Sequence, residues 1–283
     1  MLAVAAAILL AGCGSNFEWF PKPGPFANRS TPVVPVPGMV MRQISFPTLP
    51  FPVKAVHDIA YDKITASFWM LAVFNGNSSN APDALVQVKK NTVDSAAVTY
   101  VDRKDQVEWP VSISKRSTLA YDGSSFWITS GRSSQGGVAS KVYKIVPFVV
   151  EAMYLGSFYN CPATSSGFCQ GLAWDATTSS FWSAASDIAM LVNYQVLNGA
   201  VSSLVSYQDR WSGNGVTDVS FDNATNEVFV INQNGIIRVK ANSGAFLGNI
   251  PFTVPGNGRG DWDGQYFWVI DNNAKKIKAL FVR

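Results

Sequence analysis

The chain has 283 residues, 47% hydrophobic and 14% charged, which is enough apolar material for a large core and too little charge for a disordered chain. Its 22 Lys and Arg against 19 Asp and Glu leave a net charge of +3, and without a Lys/Arg run this excludes the basic footprint of a nucleic-acid binder. The single histidine, His57, excludes a His-rich metal site and obliges any His-based triad to use that one ring.

Residues 1–10, MLAVAAAILL, form an apolar run. It is about half the ~20 residues that span a bilayer as a helix, and it has the size of a signal-peptide core. No Lys or Arg precedes it. At its end, Leu10-Ala11-Gly12-Cys13 resembles the lipobox of bacterial lipoproteins. The resemblance implies a signal peptide over 1–12, cleavage before Cys13, and lipid on the Cys13 thiol as a membrane anchor. The same residues also read as a core helix with a buried cysteine. Gly14-Ser15 lacks the aspartate associated with inner-membrane retention, which tilts the expected address in the bacterial cell envelope toward the outer membrane.

Residues 13–40 carry Pro21, Pro23, Pro25, Pro32, Pro35 and Pro37. That density blocks helix and sheet ladders and gives a semi-extended tether. With Cys13 lipidated, Cys161 and Cys169 remain. In an exported protein, two cysteines this close read as one local disulfide; in a reducing compartment they are two free thiols.

A repeat runs through the remainder, 41–283. DIAYDKITASFWMLA begins at Asp58, TLAYDGSSFWITSG at Thr118, GLAWDATTSSFWSAA at Gly171, DVSFDNATNEVFVIN at Asp218 and RGDWDGQYFWVID at Arg259. Each unit runs through an aromatic residue to a marker aspartate (Asp62, Asp122, Asp175, Asp222, Asp263), then a polar turn, then an aromatic-rich strand. A period of roughly 50 residues with several short strands is the signature of propeller blades. Alternating segments such as Leu85-Val86-Gln87-Val88 and Ile236-Ile237-Arg238-Val239 supply a third strand, and segments such as Phe246–Ile250 a fourth.

The fifth unit ends at Arg283 after its third strand, which leaves an open edge. The segment Arg42-Gln43-Ile44-Ser45-Phe46 has strand character and is expected to fill it. The expected fold is therefore all-β, a five-bladed β-propeller with four-stranded antiparallel blades, its ring closed by an N-terminal strand. Trp69, Trp127, Trp182, Phe229 and Trp268 fall at equivalent places and are expected to pack between blades. The marker aspartates are expected to accept backbone N–H groups in turns.

GLAWDATTSSFW, TLAYDGSSFW and GDWDGQYFWVID resemble the repeats of secreted bacterial propellers, a broad group that includes NHL-like and YncE-like proteins and relatives of glutamine cyclotransferase. The resemblance implies blade architecture over roughly 55–283. Phe168-Cys169-Gln170-Gly171-Leu172 is similar to the cyclotransferase motif FTQGL, with Cys169 in place of threonine. No second motif of that family occurs, and its activity is not carried over.

By analogy with the fold, a site is expected where the innermost strands begin. Four positions before the markers lie Asp58, Thr118, Gly171, Asp218 and Arg259, and one position earlier His57 and Gln170. They differ between units as a grafted site would. Asp58, Thr118, Gln170, Asp218, Arg259 and His57 are the candidate ligand-binding residues. Asp58, Asp218 and Arg259 around one axis suit a polar ligand or a cation. They also suit a mutually paired ring that fills the channel. Asp261 is anomalous where other units carry Ala or Ser, and is expected to pair with Arg259 on the same strand face. There is no GxSxG, HExxH or CxxC, and Gly256-Asn257-Gly258-Arg259-Gly260 lacks a following helix to make a phosphate loop.

The resulting expectation is a lipid-anchored envelope propeller that binds or scaffolds a protein or small polar ligand, with no cofactor. The alternative is an exported hydrolase, lyase or cyclotransferase-like enzyme at the axis, working through Asp58, Asp218 and His57. A calcium ion on the axis is a third possibility.

Overall fold

The computed structural model describes residues 34–47, 52–74, 84–90, 97–102, 117–129, 142–145, 152–153, 169–185, 190–197, 200–207, 215–232, 234–251 and 258–283. Cys13 and Cys161 lie outside them, as does the side chain of Cys169. Pro35–Arg283 packs as one unit.

Twenty strands make five four-stranded sheets, and no helix occurs among the described residues. Strand β1, Val40–Ser45, comes first. The first blade is β2 (Val53–Asp62), β3 (Ser67–Phe74), β4 (Ala84–Lys89) and β5 (Ala97–Asp102). The second is β6 (Leu119–Tyr121), β7 (Phe126–Thr129), β8 (Val142–Ile145) and β9 (Ala152–Met153). The third is β10 (Cys169–Asp175), β11 (Ser180–Ala185), β12 (Met190–Leu197) and β13 (Ala200–Tyr207). The fourth is β14 (Val216–Asp222), β15 (Glu227–Asn232), β16 (Gly235–Lys240) and β17 (Phe246–Pro251). The fifth has β18 (Gly260–Trp262), β19 (Phe267–Asp271) and β20 (Lys276–Leu280).

The first strands of the blades touch in a closed circle, β2 to β6 to β10 to β14 to β18 and back to β2. This is the five-bladed propeller expected from the repeat. The ring closes where the strand count required it. β1 pairs antiparallel with β20, with Val40 opposite Leu280 and Ile44 opposite Ile277. The Gly38 N–H donates to the Phe281 carbonyl (2.8 Å) and the Phe46 N–H to that of Lys275 (2.8 Å), so pairing continues past both strand ends.

The aromatic dipeptides explain how the blades hold together. Adjacent residues on a strand point to opposite faces of the sheet. In Phe68-Trp69, Phe126-Trp127, Phe181-Trp182 and Phe267-Trp268, one ring therefore meets the preceding blade and the other the following one. Trp69 packs on Phe126 (4.7 Å between ring centres), Trp127 on Phe181 (4.8 Å), Phe229 on Phe267 (5.5 Å) and Trp268 on Phe68 (5.0 Å). The fourth unit has Val228 where the others have Phe, and there Trp182 meets Phe221 and Tyr207 instead. Truncating one such ring costs about 3–5 kcal/mol.

The marker aspartates are turn acceptors. Asp62 Oδ1 accepts the Ile64 N–H (2.9 Å), Asp122 Oδ1 those of Ser124 and Ser125, Asp175 Oδ1 that of Thr177, Asp222 Oδ1 that of Ala224, and Asp263 Oδ1 those of Gln265 and Tyr266. The second oxygen takes side-chain donors: the Thr65 and Thr225 hydroxyls donate to Asp62 Oδ2 (2.6 Å) and Asp222 Oδ2 (2.8 Å). Trp127 and Trp268 donate their indole N–H to Asp122 Oδ2 (2.7 Å) and Asp263 Oδ2 (2.6 Å). In the fourth blade Phe229 has no N–H to give, and Arg283 from the chain end donates to Asp222 Oδ2 instead (2.7 Å).

Candidate functional site

The five innermost strands run together along the axis, so equivalent residues form layers. The first layer holds Asp58, Thr118, Gly171, Asp218 and Arg259. The structure brings these residues together, sealed from solvent: Asp58 is 0%, Thr118 1%, Asp218 2% and Arg259 7% exposed. Thr118 is satisfied within its own blade, its N–H donating to Thr129 Oγ1 (2.9 Å) and its hydroxyl 3.0 Å from the same atom.

Both carboxylates stitch neighbouring blades. Asp58 Oδ1 accepts the Ile59 N–H (2.8 Å) and Oδ2 the Leu119 N–H of the second blade (2.6 Å). Asp218 does the same one interface before the fifth blade, accepting from Val219 (2.9 Å) and Gly260 (3.1 Å). Arg259 Nη1 donates to the carbonyls of His57 (2.9 Å) and Ser117 (2.5 Å), tying the fifth blade to the first and second. These contacts use the His57 backbone. His57 itself is buried where β2 slips register between Val56 and Asp58, a bulge that re-aims the strand. β14 bulges likewise between Val216 and Asp218. Gln170 sits half-buried at the start of β10.

Burial pushes the Asp58 carboxyl up to about 6, against the pull of Arg259 and the Asp218 hydrogen bond. Burial, then the nearby Asp58 charge, raises Asp218 well above the carboxylate range. Each carboxyl acts on the other's proton, lowering that of Asp58 and raising that of Asp218. One shared proton and one guanidinium therefore neutralise the layer at neutral pH.

Gly171 completes the ring for a steric reason. Its φ is +77°, and a Cβ there would sit 2.2 Å from the Val219 nitrogen. The third blade has no axial side chain because the fourth blade's backbone occupies the space.

Two residues further along is the layer Ala60, Ala120, Ala173, Ser220 and Asp261. Asp261 reaches neighbouring blades rather than Arg259. Its Oδ2 accepts the Tyr61 N–H (2.7 Å), and its Oδ1 accepts the Ser220 hydroxyl (2.5 Å) and the Trp262 N–H (2.9 Å). Burial raises its carboxyl to about 6.

Beyond Asp261 the axis opens into a cavity of about 330 Å³. Its deep end is formed by Leu119, Ala120, Leu172, Ala173 and Asp261, and its wall by one ring from each blade: Tyr61, Tyr121, Trp174, Phe221 and Trp262. The exposed turn residues Gly123, Ala176, Asn223 and Gly264 form the rim, with Lys63 and Ile64. Asp62, Asp122, Asp222 and Asp263 also line it. Burial, and then the neighbouring aspartates, raise the Tyr61 and Tyr121 hydroxyls.

Sequence reasoning placed the site at the first layer and missed this wall. Its signal was the recurring aromatic before each marker, visible as pattern and read as architecture. Among the described residues no group of three or more His, Cys, Asp or Glu is placed to hold a metal ion.

No protein-family model matches the chain, and no curated protein matches its sequence. Solved structures with a similar fold include a gluconolactonase from Xanthomonas campestris, with a TM-score of 0.47 at 11% identity over 86% of this chain and 98% of that one. A chain of the nidogen/laminin complex aligns with a TM-score of 0.45 at 11% identity, over 77% and 72% of the two chains. A luciferin-regenerating enzyme gives 0.41 at 10% identity over 81% and 91%. At that distance these likenesses carry no functional assignment.

Proposed function

We propose that this chain is a binding propeller of the bacterial envelope that takes a small polar ligand into the axial cavity on the marker-aspartate face. One observation carries the reading. The axial carboxylates Asp58 and Asp218 each spend both oxygens on backbone amides, whereas the cavity below them is open and ring-lined. A general acid or base must reach a substrate proton, and these two are sealed in the ring. The envelope address rests on Leu10-Ala11-Gly12-Cys13 and the Pro-rich segment after it; incorporation of a fatty-acid label that disappears in Cys13→Ser is its test.

For the site, the full chain is screened by thermal shift against sugars, amino acids, amines and carboxylates. A true ligand raises Tm by binding only the folded state, and the shift should vanish in Trp174→Ala. If no class shifts Tm, and capture of envelope proteins is indifferent to Trp174→Ala, the reading falls. The alternative, an exported hydrolase, lyase or cyclotransferase-like enzyme, draws on the raised Asp58–Asp218 pair. Turnover of a glycan or glutaminyl-peptide substrate that is lost in Asp218→Asn would reinstate it.

A further inference from the structure

We propose that the axial cavity is a receptor for a small free organic cation, a methylated ammonium of the size of choline. The inference rests on the cavity being a ligand site and names the chemistry it selects.

Three features of the wall point to that class. The first is the ring set. Tyr61, Tyr121, Trp174, Phe221 and Trp262 surround one axis, one from each blade. The negative face of an aromatic ring attracts a cation, and a cage of such rings is the established way to hold a methylated ammonium, which has no N–H to satisfy.

The second is the charge. Asp62, Asp122, Asp222, Asp261 and Asp263 line the cavity, with Lys63 at the rim; Arg283 offsets Asp222 and Lys90 offsets Asp263, which still leaves the carboxylates in excess. Asp261 lies at the deep end and is half-buried, in contact with the cavity. Its bonds to the Ser220 hydroxyl and the Tyr61 and Trp262 amides hold the carboxylate in place. They are three acceptances of the about four that a carboxylate offers, so its charge still faces the cavity.

The third is that the molecule already seats its own cations on two of these rings. Lys90 Nζ lies 5.5 Å from the centre of the Tyr61 ring and 2.6 Å from Asp263 Oδ2. The Arg283 guanidinium lies 4.9 Å from that of Trp262 and bonds Asp222. Each is an aromatic–aspartate cleft filled by a cation. The volume of about 330 Å³ is at the lower end for ligand pockets, which limits the occupant to a few heavy atoms around the ammonium.

The test is calorimetric titration of the full chain with choline, with dimethylbutanol as its uncharged isostere, and with phosphocholine as the lipid-headgroup form. Choline should bind about tenfold or more tightly than dimethylbutanol. Phosphocholine should bind more weakly than choline, because its phosphate meets the aspartates of the rim; tighter binding of phosphocholine would overturn the free cation as occupant. Tyr121→Leu removes one ring whose hydroxyl bonds locally, to the Gly123 carbonyl at the exposed rim (3.0 Å), keeps an apolar side chain against Phe126, and should weaken choline roughly three- to tenfold in a chain that still unfolds cooperatively. Asp261→Asn should weaken it about tenfold; where that variant does not fold, Tyr121→Leu decides. Equal affinity for choline and dimethylbutanol, no choline heat at about 10 mM, or unchanged affinity in Tyr121→Leu overturns the proposal. A sugar or carboxylate that binds with dependence on Trp174, while choline does not, removes the cation and leaves the ligand site standing.

Discussion

The two ends of the inner strands follow opposite rules. At the Asp58–Asp218–Arg259 layer the residues differ from blade to blade, and every one is buried and spoken for by a neighbouring strand. At the Tyr61–Trp262 layer the residues are alike, and they wall the open cavity. Variation among repeats is usually taken to mark the grafted site and uniformity the scaffold. Here variation solves a packing problem. Five strands converging on one axis leave room for two carboxylates, a threonine, a guanidinium and a gap, but not for five equal side chains. Uniformity repeats a ring around a common mouth.

The largest expected effect attacks the crowded end. Gly171→Ala places a methyl group 2.2 Å from the Val219 nitrogen at a positive φ. Positive-φ strain and overpacking together should cost about 3–5 kcal/mol. A denaturation midpoint unchanged from the parent chain would show that the axis is looser than its bonding implies.

An intermediate effect separates the layers by pH. Asp58 and Asp261 both have folded-state carboxyls raised to about 6, each chiefly by burial. The folded chain therefore binds more protons than the unfolded one between about pH 4 and 6, and stability falls as pH rises through that window. Asp122, Asp222 and Asp271 are held low by the Trp127 indole, the Thr225 hydroxyl with Arg283, and Lys278 respectively, against the opposing effect of burial. Their contribution is lost only as pH falls below the ordinary carboxylate range. Tm should thus be higher near pH 5 than near pH 7, and Asp261→Asn should flatten part of that slope. A Tm that climbs steadily from pH 5 to 7 would contradict the buried, proton-sharing layer.

The smallest effect probes the marker turns. Arg283→Ala leaves Asp222 with the Thr225 hydroxyl and the Ala224 amide, and a partly exposed ion pair contributes up to about 1 kcal/mol. The fourth blade should lose about that much by chemical denaturation. A loss several times larger would mean that the chain end clamps the blade interface.

Much of the fold was readable because strand grammar is local. The aspartate turns, the Phe-Trp alternation and the missing fourth strand of the last unit all appear within a few residues, and they put residues 42–46 at the open edge of the last blade, where Ile44 pairs with Ile277. The site was less readable because it depends on the ring's diameter, which no local pattern carries. Asp261 stood out as an odd residue, yet its partners, Ser220 and Tyr61, come from other blades, where strand-face reasoning had offered Arg259. The bulge at His57 and the bond that Asp58 accepts from Leu119 of the next blade likewise leave no mark in the local sequence pattern. The aromatic wall was in plain view as a repeat; what hid it was that a residue packed on one side leaves its other edge for solvent or ligand.

The joining of Val40 to Leu280 in one sheet sets an order on biogenesis. β1 precedes the whole ring in the sequence, and its partner β20 comes only after the other four blades. Until β20 is made, β1 is a strand without a sheet, open to another chain. A nascent copy is therefore a candidate for swapping its first strand with a neighbour, and the ring closes in one late step rather than blade by blade.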